Sequence, residues 1–479
     1  MKRISSFTLL LLSMSLLWSC KQNNGQAATE EAATTAAPKT VALAEHARDT
    51  DLPQWAVDAN IYEVNLRQYT KEGTIAAFEK HLPRLKEMGV DILWFMPIHP
   101  ISKAKRKGGL GSYYAVADYK DVNPEHGTLE DFKGMVQKIH ELGMYIIIDW
   151  VPNHTGWDNS WITEHPDWYT QDDQGNIIDP IDPSTGESWG WTDVADLNYD
   201  NKDMRAAMID AMRFWLTDLD IDGFRCDVAH SVPNDFWIEA NRSLKQAKDG
   251  VFMLAESDVP DNVNTGGFHM DYGWPFHHLM NHIAEGKEPA SAIDDYLKED
   301  QKTYTKGFHM HFTSNHDENT WSGTEFDRMK DGHQTFAVLA ATFDGMPLVY
   351  TGQESANRKR LKFFEKDFIE WKDFVYADFY QTLLHLKKKN KALWNGSYGG
   401  PLQKITTDHD ESVYAFLREK GGDRVVIILN LSDQEQDLTL KGDAYAGTYN
   451  DVFEKQSITL SANMNMQLNP WDYMVLSNQ

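Results

Sequence analysis

The sequence predicts an α/β protein: a (β/α)8 TIM barrel with a small subdomain inserted after its third strand, followed by a C-terminal antiparallel β-sandwich. Three observations predict it. From Trp55 to about Glu354, short β-branched or aromatic runs alternate with longer amphipathic stretches, the sequence form of a repeated βα unit. Between Asn153 and Asp200 the alternation breaks into nearly 50 residues rich in Trp, Asp and Gly, too long for a plain loop in a compact domain. After about Asn390 only short strand-like runs separated by turn residues remain, as a sandwich requires.

In chain order, Lys2 and Arg3 precede a mostly apolar run from Phe7 to Trp18, too short to span a bilayer comfortably but suited to an export signal. Cys20 follows in Leu17-Trp18-Ser19-Cys20. This resembles a bacterial lipobox, which implies cleavage before Cys20 and a lipid on the new N-terminus, with Trp18 an unusual occupant. Residues 1–19 are therefore expected to be a lipoprotein signal peptide and 20–50 a flexible tether, small and polar. The catalytic barrel is expected over 51–389, with the insertion at about 154–200, and the sandwich over 390–479. The expected location is outside the cytoplasm, with the membrane touched only through the lipid anchor.

Within the barrel, Ile75, Phe78, Leu82, Leu85 and Met88 recur at helical spacing and stop at Gly89. The next unit repeats the pattern: Thr128 to Asp131 reads as a capping box, Phe132, Met135, Val136, Ile139 and Leu142 form the apolar face, and Gly143 ends the helix. Strands are expected at 61–64, 91–96, 145–149, 222–226, 251–255, 311–315 and 347–351, with a weaker one near Phe268. In the sandwich they are expected at 413–417, 425–431, 438–440, 457–460, 464–468 and 473–476.

Composition narrows the function classes. Among 479 residues, Asp and Glu number 72 and Lys and Arg 46, a net charge of −26; this argues against a nucleic-acid or anionic-membrane partner, which needs clustered basic charge. Hydrophobic residues make up 41%, enough for a large core. Cys20 and Cys226 are the only cysteines, which excludes a disulfide framework and a zinc site of several thiolates.

In such a barrel the chemistry sits at the C-terminal ends of the strands. Four acids close apolar runs: Asp149, Asp227, Glu256 and Asp317. Asp227 and Glu256 are 29 residues apart, close to one βα unit of about 30. Glu256 and Asp317 are 61 apart, two such units, so all four can face one mouth. Carboxylates crowded into a cleft raise at least one pKa, the condition glycoside hydrolysis needs. Arg225, two residues before Asp227, points to the same side and is expected to keep Asp227 ionised, while burial holds Glu256 protonated. A divalent-cation site is the competing reading of the same residue types.

These segments resemble glycoside hydrolase family 13, the α-amylase family, through DWVPNH (149–154), GFRCDVAH (223–230), LAES (254–257) and SNHD (314–317), with GSYYAVADY (111–119) and YTGQE (350–354) as outer support. The resemblance implies Asp227 as nucleophile, Glu256 as acid and then base, and Asp317 as the carboxylate that binds sugar hydroxyls. It also implies that Arg225 orients Asp227, that His154 and His316 donate hydrogen bonds to the sugar, and that Tyr114 stacks beneath it. The implied substrate is an α-glucan or maltooligosaccharide with α-1,4 links. Asp149 is implied to be structural, organising neighbouring strands.

The family often binds a structural calcium at the positions of Asn153 and Asp196. Here VADLNY around Asp196 and Ser231 depart from its pattern, and calcium needs six to eight ligands. No cofactor is expected for the chemistry itself. Tyr113 stands where a Pro is common, and Val228 follows the nucleophile at a position tied to α-1,6 preference in some subgroups. Of Trp157, Trp161, Trp168, Trp189 and Trp191 in the insertion, most are expected to fill its core and the rest to stack on outer sugars. The run Lys103, Lys105, Arg106 and Lys107 reads as a solvated loop. The alternatives are an α-glucosyl transferase, an α-1,6-acting debranching or neopullulanase-type enzyme, and a non-catalytic glycan-binding surface lipoprotein.

Overall fold

The computed structural model describes Arg48 and residues 50–479, with 183 and 184 excepted. The signal peptide, Cys20 and nearly all of the tether lie outside the described residues. Among the described residues no helix is long and apolar enough to cross a membrane.

Eight parallel strands close into a barrel. They are β1 (Ile61–Val64), β2 (Ile92–Phe95), β3 (Tyr145–Trp150), β6 (Gly223–Cys226), β7 (Phe252–Ala255), β8 (Met270–Tyr272), β9 (Phe308–His311) and β10 (Met346–Tyr350). Two short strands, β4 (His154–Gly156) and β5 (Val194–Asp196), interrupt the series and pair antiparallel at the base of the insertion. Around the barrel the order is β1-β10-β9-β8-β7-β6-β3-β2.

Period-2 alternation explains why the strands carry no polar face. Ile61, Trp94, Ile147, Leu254, Met310 and Leu348 share an interior cluster, while Tyr62, Leu93, Ile148, Phe224, Met253 and Val349 pack outward on the helices. Both faces of a parallel sheet are covered, so the runs are mostly apolar, with Glu63, Asp149 and Arg225 among the buried charged exceptions. Gly223 permits the closest approach: a Cβ there would lie 2.0 Å from the carbonyl oxygen of Phe252 on the next strand.

The helix signals act as expected. The segment from Ile75 ends at Gly89, whose φ of 95° is left-handed, the conformation that favours glycine after a helix. Thr128 caps the helix Leu129–Glu141, and the Asp131 side chain returns the bond to the Thr128 amide. One strand differs from expectation. The run at 311–315 is not a strand; β9 ends at His311, and Asn315 instead starts a helical turn, accepting the amides of Glu318 (2.7 Å) and Asn319 (2.9 Å). The polar residues of Ser314-Asn315-His316 satisfy a loop better than a buried ladder.

The C-terminal domain holds β11 (Leu402–Ile405), β12 (Val413–Lys420), β13 (Asp423–Asn430), β14 (Gln436–Thr439), β15 (Gly447–Asp451), β16 (Ser457–Leu460), β17 (Asn465–Leu468) and β18 (Tyr473–Ser477). Six form one antiparallel sheet, β11-β12-β13-β18-β15-β16, and β14 pairs with β17. Val413, Ile428, Leu438 and Leu468 from both sheets share one apolar cluster. β11 and β15 were not expected, because Leu402–Ile405 contains Gln403 and Lys404, and Gly447–Asp451 has only Tyr449 as a large apolar residue. The opposite face, with Tyr414, Phe416 and Ile427, joins the barrel's helical layer. Arg418, fully buried, binds the carbonyls of Thr342 (3.1 Å), Phe343 (2.6 Å) and Gly400 (2.8 Å).

Candidate active site

Asp227 directly follows β6, Glu256 directly follows β7, and Asp317 lies in the loop after β9. All three line one cleft of about 550 Å³ at the barrel mouth, together with Tyr114 and His154. Arg225 occupies the centre. Its Nη1 donates to Asp149 Oδ1 (2.8 Å) and to Asp227 Oδ1 (3.0 Å), its Nη2 pairs with Glu256 Oε1 (2.7 Å), and its Nε donates to the Tyr272 hydroxyl (3.1 Å). A guanidinium offers five donors in a fixed plane, so one side chain holds three carboxylates in register.

Asp149 ties strands together, as the resemblance implied. It accepts from Trp94 Nε1 and the Tyr114 hydroxyl (both 3.3 Å) as well as from Arg225. Burial pushes its carboxyl up to about 7 against the pull of Arg225 and His316.

The ionisation of Asp227 differs from the expectation. Asp227 is the deeper group, its side chain 8% exposed against 16% for Glu256. Burial first, and then the charge and hydrogen bond of Glu256, raise the Asp227 carboxyl well above the carboxylate range, with Arg225 opposing. The reason is placement: Asp227 turns into the barrel interior beside Asp149, while Glu256 stands one step nearer the cleft. The Glu256 carboxylate also accepts the Val228 amide (2.8 Å). Val228 holds φ 44° and ψ 41°, a left-handed conformation that costs a β-branched residue roughly 1–3 kcal/mol.

His316 and Asp317 form the opposite wall. His316 Nε2 lies 2.8 Å from the Tyr114 hydroxyl and 3.2 Å from Asp317 Oδ2. Burial disfavours its cation, but Asp317 and Glu63 outweigh burial and raise it well above the usual histidine value. In turn, desolvation of Asp317 is overcome chiefly by the His316 charge, and its carboxyl is held low. His154 is buried and pushed down to about 3, so it is neutral and keeps a ring N–H to donate. Tyr114 stacks at 5.8 Å on His316 and 6.2 Å on Phe363.

Asn153 and Asp196 also come together: the Leu197 amide donates to the Asn153 carbonyl (3.1 Å), and Asp196 is paired with His154 across β4 and β5. Burial raises the Asp196 carboxyl to about 6, with Thr170 opposing. Among the described residues no group of three or more acidic, His or Cys side chains could hold a metal. This pair alone falls short of the oxygens calcium takes, and no chemical step is routed through it.

Sequence reasoning missed several lining residues. It also missed Glu63, which does not line the cleft but lies buried beneath His316, an acid inside the apolar strand β1. Trp321 follows Asp317 on the same helical turn. Phe363 and Phe364 sit in a loop without periodicity and gave no signal. Of the five insertion tryptophans, Trp168 is buried and Trp157 and Trp161 pack on the core, whereas Trp189 and Trp191 stack on each other (5.8 Å) and line the cleft. The basic run is not a partnerless solvated loop. Lys105 lies 3.1 Å over the Trp157 ring and Lys107 pairs with Asp193 at 2.9 Å; the insertion supplies aromatic and acidic partners remote in sequence.

Residues 43–397 match the family profile described as alpha amylase, catalytic domain, and residues 403–475 that of the maltogenic amylase C-terminal domain. The chain is 26% identical over 411 residues to alpha-amylase MalA of Haloarcula japonica, covering 81% of this chain and 57% of that protein. It is 26% identical over 517 residues to a trehalose synthase of Thermus thermophilus, covering 82% of this chain and 52% of that one. It thus spans little more than half the length of these two relatives. The crystal structure of a noncanonic maltogenic alpha-amylase, AmyB from Thermotoga neapolitana, superposes with a TM-score of 0.78 at 29% identity, covering 88% of this chain and 98% of that one.

Proposed function

The chain belongs to the α-amylase family, glycoside hydrolase family 13, and from that premise we propose that it hydrolyses α-1,4-glucosidic bonds of starch-like poly- or oligosaccharides with retention of configuration. The observation that carries this reading is that one guanidinium, Arg225, holds both carboxyls side by side, Asp227 on Nη1 at 3.0 Å and Glu256 on Nη2 at 2.7 Å. An inverting enzyme separates its two carboxyls by about 6.5–9.5 Å to admit a water, and a retaining one brings them closer. In the reactive form Asp227 is ionised against Arg225 and the proton sits on Glu256, which gives it to the glycosidic oxygen while Asp227 attacks the anomeric carbon, forming a glycosyl ester and releasing the leaving sugar. Glu256 then takes a proton from water, whose oxygen displaces Asp227 and restores the α configuration. Tyr114 supports the ring, and Asp317, His316 and His154 hold its hydroxyls.

The test is a product profile on amylose, pullulan and a cyclodextrin, with the anomer of the fresh product read by NMR. Freshly released β-anomers, or no products from any substrate with the fold intact, would overturn the reading. Transfer of the glucosyl group to a sugar acceptor is the second reading, favoured by the likeness to a trehalose synthase; the same three acids serve it, and transfer products in the same assay would identify it. A purely glycan-binding role leaves the complete acid set without a task.

The pattern around Cys20 supports export and lipid anchoring of the enzyme. Labelling with an alkyne fatty acid is expected to mark the protein and to be lost in Cys20→Ala. Calcium at Asn153 and Asp196 is the remaining proposal; a rise in unfolding temperature on adding calcium, absent in Asp196→Ala, is its expected sign.

A further inference from the structure

The cleft has one high side and one low side. Five neighbouring strands, β3, β2, β1, β10 and β9, carry segments that are bonded into a continuous belt. Lys107, in the loop after β2, reaches the insertion after β3 through Asp193 (2.9 Å) and the Gly190 carbonyl (3.0 Å). The same loop joins the loop after β10: Gly109 donates to Glu365 (2.7 Å) and Leu110 to the Phe364 carbonyl (2.9 Å). Arg67, just after β1, donates to the carbonyls of Gly111 (2.9 Å) and Phe363 (3.4 Å). Arg360 donates to the Trp321 carbonyl (2.8 Å) in the loop after β9, and the Trp321 ring rests 5.6 Å from Phe363. On the other arc the connections are low: β8 is followed at once by the helix Trp274–Ala284, and β7 by the helix Pro260–Asn264.

The belt lies on a definite side of the reaction. Tyr114 belongs to it and stacks on Phe363, and Asp317 precedes Trp321 by four residues. Under the reading above, the glucosyl group to be transferred rests on Tyr114, whereas the leaving group must be within reach of Glu256 after β7. Sugars beyond the transferred one, toward the non-reducing end, therefore run into the belt, and those toward the reducing end leave over the low arc. Into the walled end project Trp189, 46% exposed, and Trp321, 57% exposed, indoles that offer faces to sugar C–H surfaces. The pocket around the three acids, about 550 Å³, lies in the size range of sites that enclose a small molecule.

We propose that the cleft is closed on its donor side, so that the enzyme accepts the non-reducing ends of α-glucans and maltooligosaccharides and removes short units from them. The inference rests on the hydrolase reading. The test uses the full-length protein and maltoheptaose with a fluorophore on its reducing end, sampled at early times. Labelled products shortened by one or two glucose units are expected to exceed those cut in the interior by about tenfold, a modest steric discrimination. Interior fragments at the first time points sink the chain-end inference and leave the hydrolase reading standing; no cleavage of any glucan sinks both. Lys107→Ala severs the tie to the insertion and is expected to raise the share of interior cuts several-fold. An unchanged product ratio in that variant removes the belt as the cause.

Discussion

Glu63 Oε1 lies 2.5 Å from Nδ1 of His316, entirely inside the protein. This contact, together with Asp317 Oδ2 at 3.2 Å from the other ring nitrogen, places one imidazolium between two carboxylates. The groups facing the ring are Glu63 from β1, Tyr114 from the loop after β2 and Asp317 beside it, with Arg225 and Asp149 further off. His316 therefore carries its charge through neutral pH, and Glu63→Gln removes one of the two anions that hold it. The alkaline limb of the kcat/KM profile is expected to move to lower pH by about one unit, the equivalent of about 1.4 kcal/mol. A profile that stays in place would show that Glu63 is packing only.

Asp227→Asn keeps the shape of the site and removes the carboxylate proposed as nucleophile. Turnover on amylose is expected to fall by roughly 10⁴-fold or more, as in other enzymes stripped of a nucleophile, while binding of a maltooligosaccharide, read by calorimetry, survives. An undiminished rate would refute the assignment.

Arg225→Ala leaves Asp149, Asp227 and Glu256 without their shared cation. Breaking a buried ion pair by removing one partner costs about 3–5 kcal/mol, and urea unfolding is expected to show a loss of that order. A loss under about 1 kcal/mol, the size of a surface pair, would mean that the carboxyls protonate at little cost.

Away from the cleft, His309 is clamped by Asp271 (2.5 Å) and Asp300 (2.8 Å), with Arg48 also on Asp300. Burial opposes its cation, but the two carboxylates raise it to about 10. A raised histidine contributes stability that is complete below its unfolded value, near 6.5, and is lost as pH climbs through about 10. Burial raises the Asp271 carboxyl while His309 opposes the rise. Unfolding free energies at pH 6 and pH 10 are expected to differ more in the native protein than in His309→Gln; equal differences would exclude the clamp as the source.

The barrel was legible because both faces of a parallel sheet are apolar and each βα unit repeats a cap, an apolar stripe and a glycine stop, as at Thr128 and Gly143. The acids at strand ends were legible for the same reason: Glu256 breaks a wholly apolar run, and Asp227 closes one whose only charge is Arg225. What sequence could not carry was contact between distant loops. Lys107 reads as solvated until Asp193, which lies far along the chain, is placed beside it, and Phe363 has no periodicity to mark it. The ionisation of Asp227 was also hidden, since it depends on how deeply that carboxyl is buried after its strand.

Arg418 gives the sheet domain a role in the barrel's integrity. Its guanidinium terminates the helix His333–Thr342 by taking the carbonyls of Thr342 and Phe343, so the last turn before β10 is capped by a residue from another domain. A chain shortened at residue 400 would lose that donor and uncover the end of this helix, directly behind the strand that pairs with Glu63. The sheet domain is thus a working part of the barrel's wall, and a different C-terminal partner would need a donor of its own at the same spot.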